Sequence, residues 1–299
     1  MKSLVLSGGG SKGAYEAGFL YEIFDKIEFD NLYGTSVGSL NCLLLAQCYI
    51  DNSPDLLKRT WTKEIKKNKH IFKKNYFKII FGWGTPPFNF SPLRNLLKRI
   101  LNFEEIMKLD KKIKMTSVDL ITGKSVFFSN HEVENVEILL NSVIASASIP
   151  PAFLPVIIGD KILVDGGIRD NVPASLLTQE IEENNDSALV ILCGPKEIDK
   201  KKKEYRGIIG VGIRVIDIMS HEITLNDINI ILKINDLLKS TPIEKRNEWL
   251  SNKKIIDIEV IEPEEYLGDV LDFNHENLLR IFNMGVKKGR EYIKEKGLS

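Results

Sequence analysis

Ser36 stands in Gly34-Thr35-Ser36-Val37-Gly38, a G-x-S-x-G arrangement that makes a serine hydroxyl a candidate nucleophile when it sits on a sharp strand-to-helix turn. Such a turn strains the backbone and lifts the hydroxyl clear, while Gly34 and Gly38 let neighbouring chain pass close. A second glycine cluster, Gly8-Gly9-Gly10-Ser11-Lys12-Gly13, follows the apolar run Leu4-Val5-Leu6. Gly8, Gly10 and Gly13 match the G-x-G-x-x-G of dinucleotide sites. The acidic residue such a site needs about 20 residues further on, after the second strand, is missing. Asp30 precedes that strand, and the serine turn occupies the place. A P-loop fails too, because Ala14 stands where the phosphate-binding lysine belongs. If the strands leading into the two turns are parallel neighbours, their ends lie about 4.8 Å apart. The amides of Gly8, Gly9, Gly10 and Val37, with two helix N-termini, then form an oxyanion hole beside Ser36.

A serine nucleophile needs a proton acceptor. The four histidines are His70, His131, His221 and His275. The last two follow Asp165, so a Ser, Asp, His order stays open, although His221 sits at helical spacing and His275 at a helix start. Asp165 has the stronger context. Leu163-Val164-Asp165-Gly166-Gly167 sets a carboxylate directly after an apolar strand, with two glycines that permit close approach. Its reference pKa of about 3.9 makes it a poor base unless burial raises it.

These residues require elements to place them. The pattern reads as strand 3–7, helix 13–27, strand 31–33 and helix 37–47, a succession that implies parallel pairing with right-handed crossovers. A helix over 54–67 follows. Hairpins are expected at 112–119 with 124–129 and at 156–158 with 161–164, the second delivering Asp165. Helices over 136–145, 173–182, 208–238 and 274–294 and strands at 188–192 and 255–261 complete a three-layer α/β/α fold with a mainly parallel sheet, antiparallel hairpins and C-terminal helical additions. With no internal repeat and no clear linker, one domain over 1–299 is expected, its catalytic core at 1–195 and an extension at 207–299.

The chain of 299 residues is 43% hydrophobic, enough for a substantial core. Lys plus Arg and Asp plus Glu both total 41, so no global charge argues for nucleic acid. Cys42, Cys48 and Cys193 lack metal-ligand spacing, which suits a reducing compartment and argues against a zinc site. The apolar run before Gly8 falls short of the roughly 7 to 15 residues of a signal-peptide core, and no stretch reaches the roughly 18 apolar residues of a membrane span. A cytoplasmic protein, at most peripheral on membranes, is expected.

Taken together, the glycine cluster at 8–13, the serine turn at 34–38 and Asp165-Gly166-Gly167 resemble the patatin-like phospholipase family. Ala145-Ser146-Ala147-Ser148-Ile149-Pro150-Pro151-Ala152-Phe153 and Asn171-Val172-Pro173 are similar to stretches of its bacterial members, and the resemblance covers at least residues 1–195. It implies hydrolysis of lipid acyl esters by a Ser-Asp dyad without histidine or metal. Ser36 would be the nucleophile and Asp165 the base, with an oxyanion hole at the first glycine motif and no cofactor. Lys12 departs from the arginine of many members, keeping the charge and losing the guanidinium fork.

Residues 58–99 hold twelve Lys or Arg against one acidic residue, Glu64, interleaved with Trp61, Phe72, Tyr76, Phe77, Phe81, Trp83, Phe88 and Phe90. That mixture suits an anionic membrane surface, with a lid or acyl channel nearby. A phospholipid or lysophospholipid substrate is expected, and no nucleic-acid partner. The rival readings are a histidine-dependent esterase, a lipid-binding or signalling module without catalysis and, more remotely, a dinucleotide oxidoreductase.

Overall fold

The computed structural model describes residues 1–74, 86–173, 175–177, 187–195 and 207–298. Strand β1 (Lys2–Leu6) passes through a 3₁₀ turn at Gly10–Lys12 into helix α1 (Gly13–Ile23), and β2 (Asn31–Thr35) passes through Ser36 into α2 (Val37–Asp51). Helix α3 (Asp55–Arg59) is short. Where the periodicity suggests one helix over 54–67, the chain widens into a π-helical turn at Thr60–Glu64. The buried Trp61 on that turn donates its indole N–H to Asn41 Oδ1 (2.9 Å). The ribbon of β3 (Lys73–Lys74) with β4 (Phe88–Asn89), then α4 (Ser91–Ile100) and α5 (Phe103–Lys108), leads to the expected hairpin of β5 (Lys112–Asp119) and β6 (Ser125–Ser129). Next come α6 (Val136–Ser146), the hairpin of β7 (Val156–Ile158) and β8 (Lys161–Asp165), β9 (Ser187–Ile191), α7 (Gly207–Ser240), α8 (Glu248–Ser251), β10 (Asp257–Ile261) and α9 (His275–Lys296). Of the helix expected over 173–182, residues 175–177 are helical. Its remainder, the lysine-rich stretch 196–206 and the aromatics Tyr76, Phe77, Phe81 and Trp83 lie outside the described residues.

The principal sheet has eight strands in the order β10-β9-β1-β2-β5-β8-β7, with β6 also paired to β5. Its five strands from β10 to β5 are parallel, whereas β6 and β8 run antiparallel to β5. Alternation along β1 shows the layering, since successive strand residues point to opposite faces. Leu4 and Leu6 join the core formed with α1, α2 and α9, and Val5 joins a second cluster with Tyr33, Val190 and Ile228 and Ile231 of α7. This is the expected three-layer α/β/α arrangement. No described helix is long and apolar enough to cross a membrane.

Candidate active site

Strand β5 brings the two predicted catalytic residues together. Its residues 114–118 pair with β6, which occupies one edge. Along the other edge lie two different strands. β2 pairs with residues 112–116 and ends with Thr35 opposite Thr116, and β8 arrives from the opposite direction and ends with Asp165 opposite Ser117. The carboxyl ends of β2 and β8 therefore meet end-on at consecutive residues of β5. Ser36, one residue past Thr35, faces Asp165.

The turn holding Ser36 is strained, as the motif predicts. Ser36 has φ 55° and ψ −121°, a region that costs a non-glycine residue about 1–3 kcal/mol. A Cβ on Gly38 would strike the Leu6 carbonyl, so the small residue is needed where β1 crosses under α2. Gly8 lies against the same serine, and a Cβ there would strike Asn171 Oδ1 and come within 3.2 Å of the Ser36 Cβ. Its N–H donates to the Asn171 carbonyl (3.3 Å), so Gly8 supplies space and not a free donor. The N–H groups of Gly9, Gly10 and Val37 have no acceptor among the described residues. Gly10 has φ 59°, and any Cβ there would collide with the Val270 carbonyl. That carbonyl accepts from Ser11 N–H (2.9 Å) and Ser11 Oγ donates to the Asp269 carbonyl (2.7 Å), so the segment after β10 grips the glycine loop.

Asp165 is 3% exposed and accepts at Oδ1 from the Gly167 N–H (2.7 Å). Burial pushes its carboxyl up to about 7, and the Ser36 hydroxyl and the Gly167 N–H hold it from rising further. Oδ2 makes no hydrogen bond of normal geometry. The contact expected between Ser36 and Asp165 is thus open, as hydrogen bonds at active sites often are before substrate binds.

Two cavities meet at Ser36. One, about 530 Å³ including the solvent at its mouth, is lined by Val37, Leu40, Trp61, Phe72, Leu97 and Phe153 among other apolar residues. The other, about 830 Å³ including the solvent at its mouth, contains Asp165, the glycine loop, Lys12, Arg214, Asp217 and His221. An ester carbonyl at Ser36 would direct an apolar chain one way and a polar alcohol the other.

A family model described as Patatin-like phospholipase matches residues 4–178, more than half of the 299-residue chain. The chain belongs to the patatin-like phospholipase family. It is 28% identical over 195 residues to Uncharacterized protein R571 of Acanthamoeba polyphaga mimivirus, covering 61% of this chain and 63% of that protein. It is 26% identical over 198 residues to Probable lipid hydrolase 463L of Invertebrate iridescent virus 6, covering 62% and 66%. Each match spans slightly less than two thirds of the relative's own length. The crystal structure of VipD from Legionella pneumophila is similar at 12% identity with a TM-score of 0.43, covering 98% of this chain and 67% of VipD.

In this patatin-like chain Lys12 braces the glycine loop without a guanidinium fork. Its Nζ donates to Asp217 Oδ1 of α7 (2.9 Å) and lies 5.6 Å from the Tyr266 ring, and Arg214 donates to Asp217 Oδ2 (2.6 Å). Burial works to raise the Asp217 pKa, but the two cations override it and hold the carboxyl below its usual range. Nothing in the local pattern marks Asp217, which lies 205 residues beyond Lys12. Ser39, Ser146 and Asn171 also bear on the site unmarked by any catalytic motif. Asn171 reaches it from a resembling stretch and donates to Thr224 of α7 (2.7 Å).

The histidines divide. His221 lines the polar cavity, while His275 opens α9 and lines neither cavity. His131 contacts the Leu109 carbonyl and His70 accepts from the Lys66 N–H. The described aromatics of 58–99 face inward. Trp61 and Phe72 are buried, the half-buried Phe90 stacks on Phe153 while the half-buried Phe88 packs against it at a tilt, and Trp61, Phe72 and Phe90 wall the apolar cavity.

Proposed function

We propose that this chain is a lipid acyl hydrolase of phospholipase A or lysophospholipase type, working through a Ser36–Asp165 dyad. The observation that carries the reading is the end-on meeting of β2 and β8 on β5, which sets a strained serine against a buried carboxylate where the two cavities join. The family membership and the printed name of the iridescent-virus relative, a probable lipid hydrolase, support the same chemistry. Ser36 Oγ attacks the ester carbonyl as its proton passes to Asp165. The N–H groups of Gly9, Gly10 and Val37 face the developing oxyanion, aided by the N-terminus of α2. Collapse breaks the bond to the alcohol oxygen, which takes the proton from Asp165. Water, deprotonated by the same carboxylate, then attacks the acyl carbon, and as the bond to Ser36 Oγ breaks and the fatty acid leaves, Oγ takes that proton back from Asp165. No metal or organic cofactor takes part.

The test is fatty-acid release from mixed phospholipid and lysophospholipid vesicles in EDTA. The intact chain should release acid, and Ser36→Ala should lose at least about 10³-fold of the rate. Binding to vesicles with no release and no labelling of Ser36 by a fluorophosphonate would instead identify a lipid-binding module. Because His221 lines the cavity, His221→Ala belongs in the same assay. Retained activity fits the dyad, and a loss comparable to that of Ser36→Ala would replace it with a histidine-dependent esterase.

A further inference from the structure

Granting the serine-hydrolase reading above, we infer that Ser146 is a positioning residue for the nucleophile, its hydroxyl completing the sheet where β2 stops and β8 has not begun. The edge of β5 passes from one partner strand to the other between Thr116 and Ser117. Ser146 Oγ, at the end of α6, fills that break. It accepts from the Ser36 N–H (2.8 Å) and donates to the Thr116 carbonyl (2.6 Å), joining as a single atom two backbone groups that no strand joins directly. Ser39 Oγ lies 2.9 Å from it and donates to the Gly34 carbonyl (2.8 Å), tying the first turn of α2 into the same cluster. Ser39 and Ser146 are both fully buried.

The position matters because Ser36 occupies an unfavourable φ,ψ region, which persists only when its surroundings over-determine it. The nucleophile's own N–H is the group Ser146 holds. It is therefore spoken for, and cannot also serve an oxyanion. Without the hydroxyl, the Ser36 N–H and the Thr116 carbonyl would be buried and unpaired. Rotation of Ser36 toward ordinary backbone angles then relieves its strain and turns its N–H out of the break, carrying Oγ away from Asp165. Substrate still enters both cavities, so the loss falls on the chemical step.

The experiment measures kcat and KM on a water-soluble p-nitrophenyl acyl ester, together with the rate of Ser36 labelling by a fluorophosphonate, in the full chain. Ser146→Ala should lower kcat about 10- to 100-fold, the range expected when a reacting atom is misplaced, with KM within about twofold and labelling slowed in step. Ser142→Ala is the control. It removes a fully buried hydroxyl of the same helix that donates to the Leu139 carbonyl (2.8 Å) and does not touch the serine turn, so it should lower the unfolding midpoint and leave kcat unchanged. Ser39→Ala should slow the chemistry less than Ser146→Ala, and the double variant no more than Ser146→Ala alone, as expected of groups acting as a unit. Ser146→Thr, which keeps the hydroxyl, replaces the alanine variant if that does not fold and should retain most of kcat. A folded Ser146→Ala with wild-type kcat, an effect on KM alone, or equal kcat losses in Ser142→Ala would overturn the assignment. An intact chain that neither turns over nor labels would overturn the serine-hydrolase reading itself, and the role of Ser146 with it.

Discussion

In the proposed dyad, Asp165 can act as the base only because it is buried. An exposed aspartate, with a pKa of about 3.9, would be ionised at neutral pH but too weakly basic to draw a proton from a serine, whereas a carboxyl pushed up to about 7 sits where base strength and ionisation balance at neutral pH. The active form is the carboxylate, so kcat/KM should rise through a midpoint near pH 7 and level off above it. Asp165→Asn should lower kcat by about 10²- to 10⁴-fold and abolish that inflection, as a pH–rate profile on a soluble ester would show. The same substitution bears on stability. The folded pKa is above the unfolded one, so the folded chain binds the proton more tightly, and stability is lost as pH rises from about 4 through about 7. Asp165→Asn removes that penalty and should resist urea better than the wild type at pH 8, by about 1–3 kcal/mol. The two chains should converge near pH 4.

Among the elements, α1 and α9 pack closest. Gly18 lies against the Phe282 carbonyl and Gly285 against the Tyr15 carbonyl, so each helix presents a glycine where the other's backbone passes. The crossing fixes the direction of α1, and with it the glycine loop at its N-terminus, because Tyr15 also donates to the Glu262 carbonyl (3.0 Å) just after β10. Gly285→Val should force the helices apart and cost about 2–4 kcal/mol, above the usual range for overpacking because backbone, not a side chain, must move. Urea denaturation measures it. Esterase activity should fall together with the loss of structure, and a variant as stable as the wild type would show that the helices can separate freely.

On the scale of the whole molecule, the segment 58–74 has two sides. Trp61 and Phe72 face the apolar cavity, while Lys58, Lys63, Lys66, Lys67, Lys69, Lys73 and Lys74 are exposed. We propose that this basic face rests on an anionic bilayer, with the aromatics serving the acyl cavity and not inserting into lipid. Electrostatic docking of this kind weakens as salt shortens the screening length from about 10 Å at 0.1 M to about 3 Å at 1 M. Co-sedimentation should therefore show binding to phosphatidylserine-containing vesicles that is lost in high salt, with little binding to neutral ones. Replacing Lys66, Lys67 and Lys69 by Gln should reduce binding and leave hydrolysis of a soluble ester intact. Salt-independent binding would exclude the basic face.

The serine turn, the glycine loop, the Asp165 turn and the α/β alternation were legible in the sequence because each is a local backbone requirement written in a few adjacent residues. A strained serine needs Gly38 beside it, and a positive φ needs glycine at position 10. The π-helical turn at Thr60–Glu64 was not legible, because it widens a helix to seat Trp61 against Asn41, a partner 20 residues away. Nor was the orientation of the aromatics, since composition cannot say which side of a segment faces the core. Tertiary structure alone decided that β2 and β8 meet on one edge of β5, that Asp217 answers Lys12 across 205 residues, and that a hydroxyl from α6 closes the gap under Ser36. Those depend on strand register and on contacts between distant parts of the chain, which no local pattern encodes.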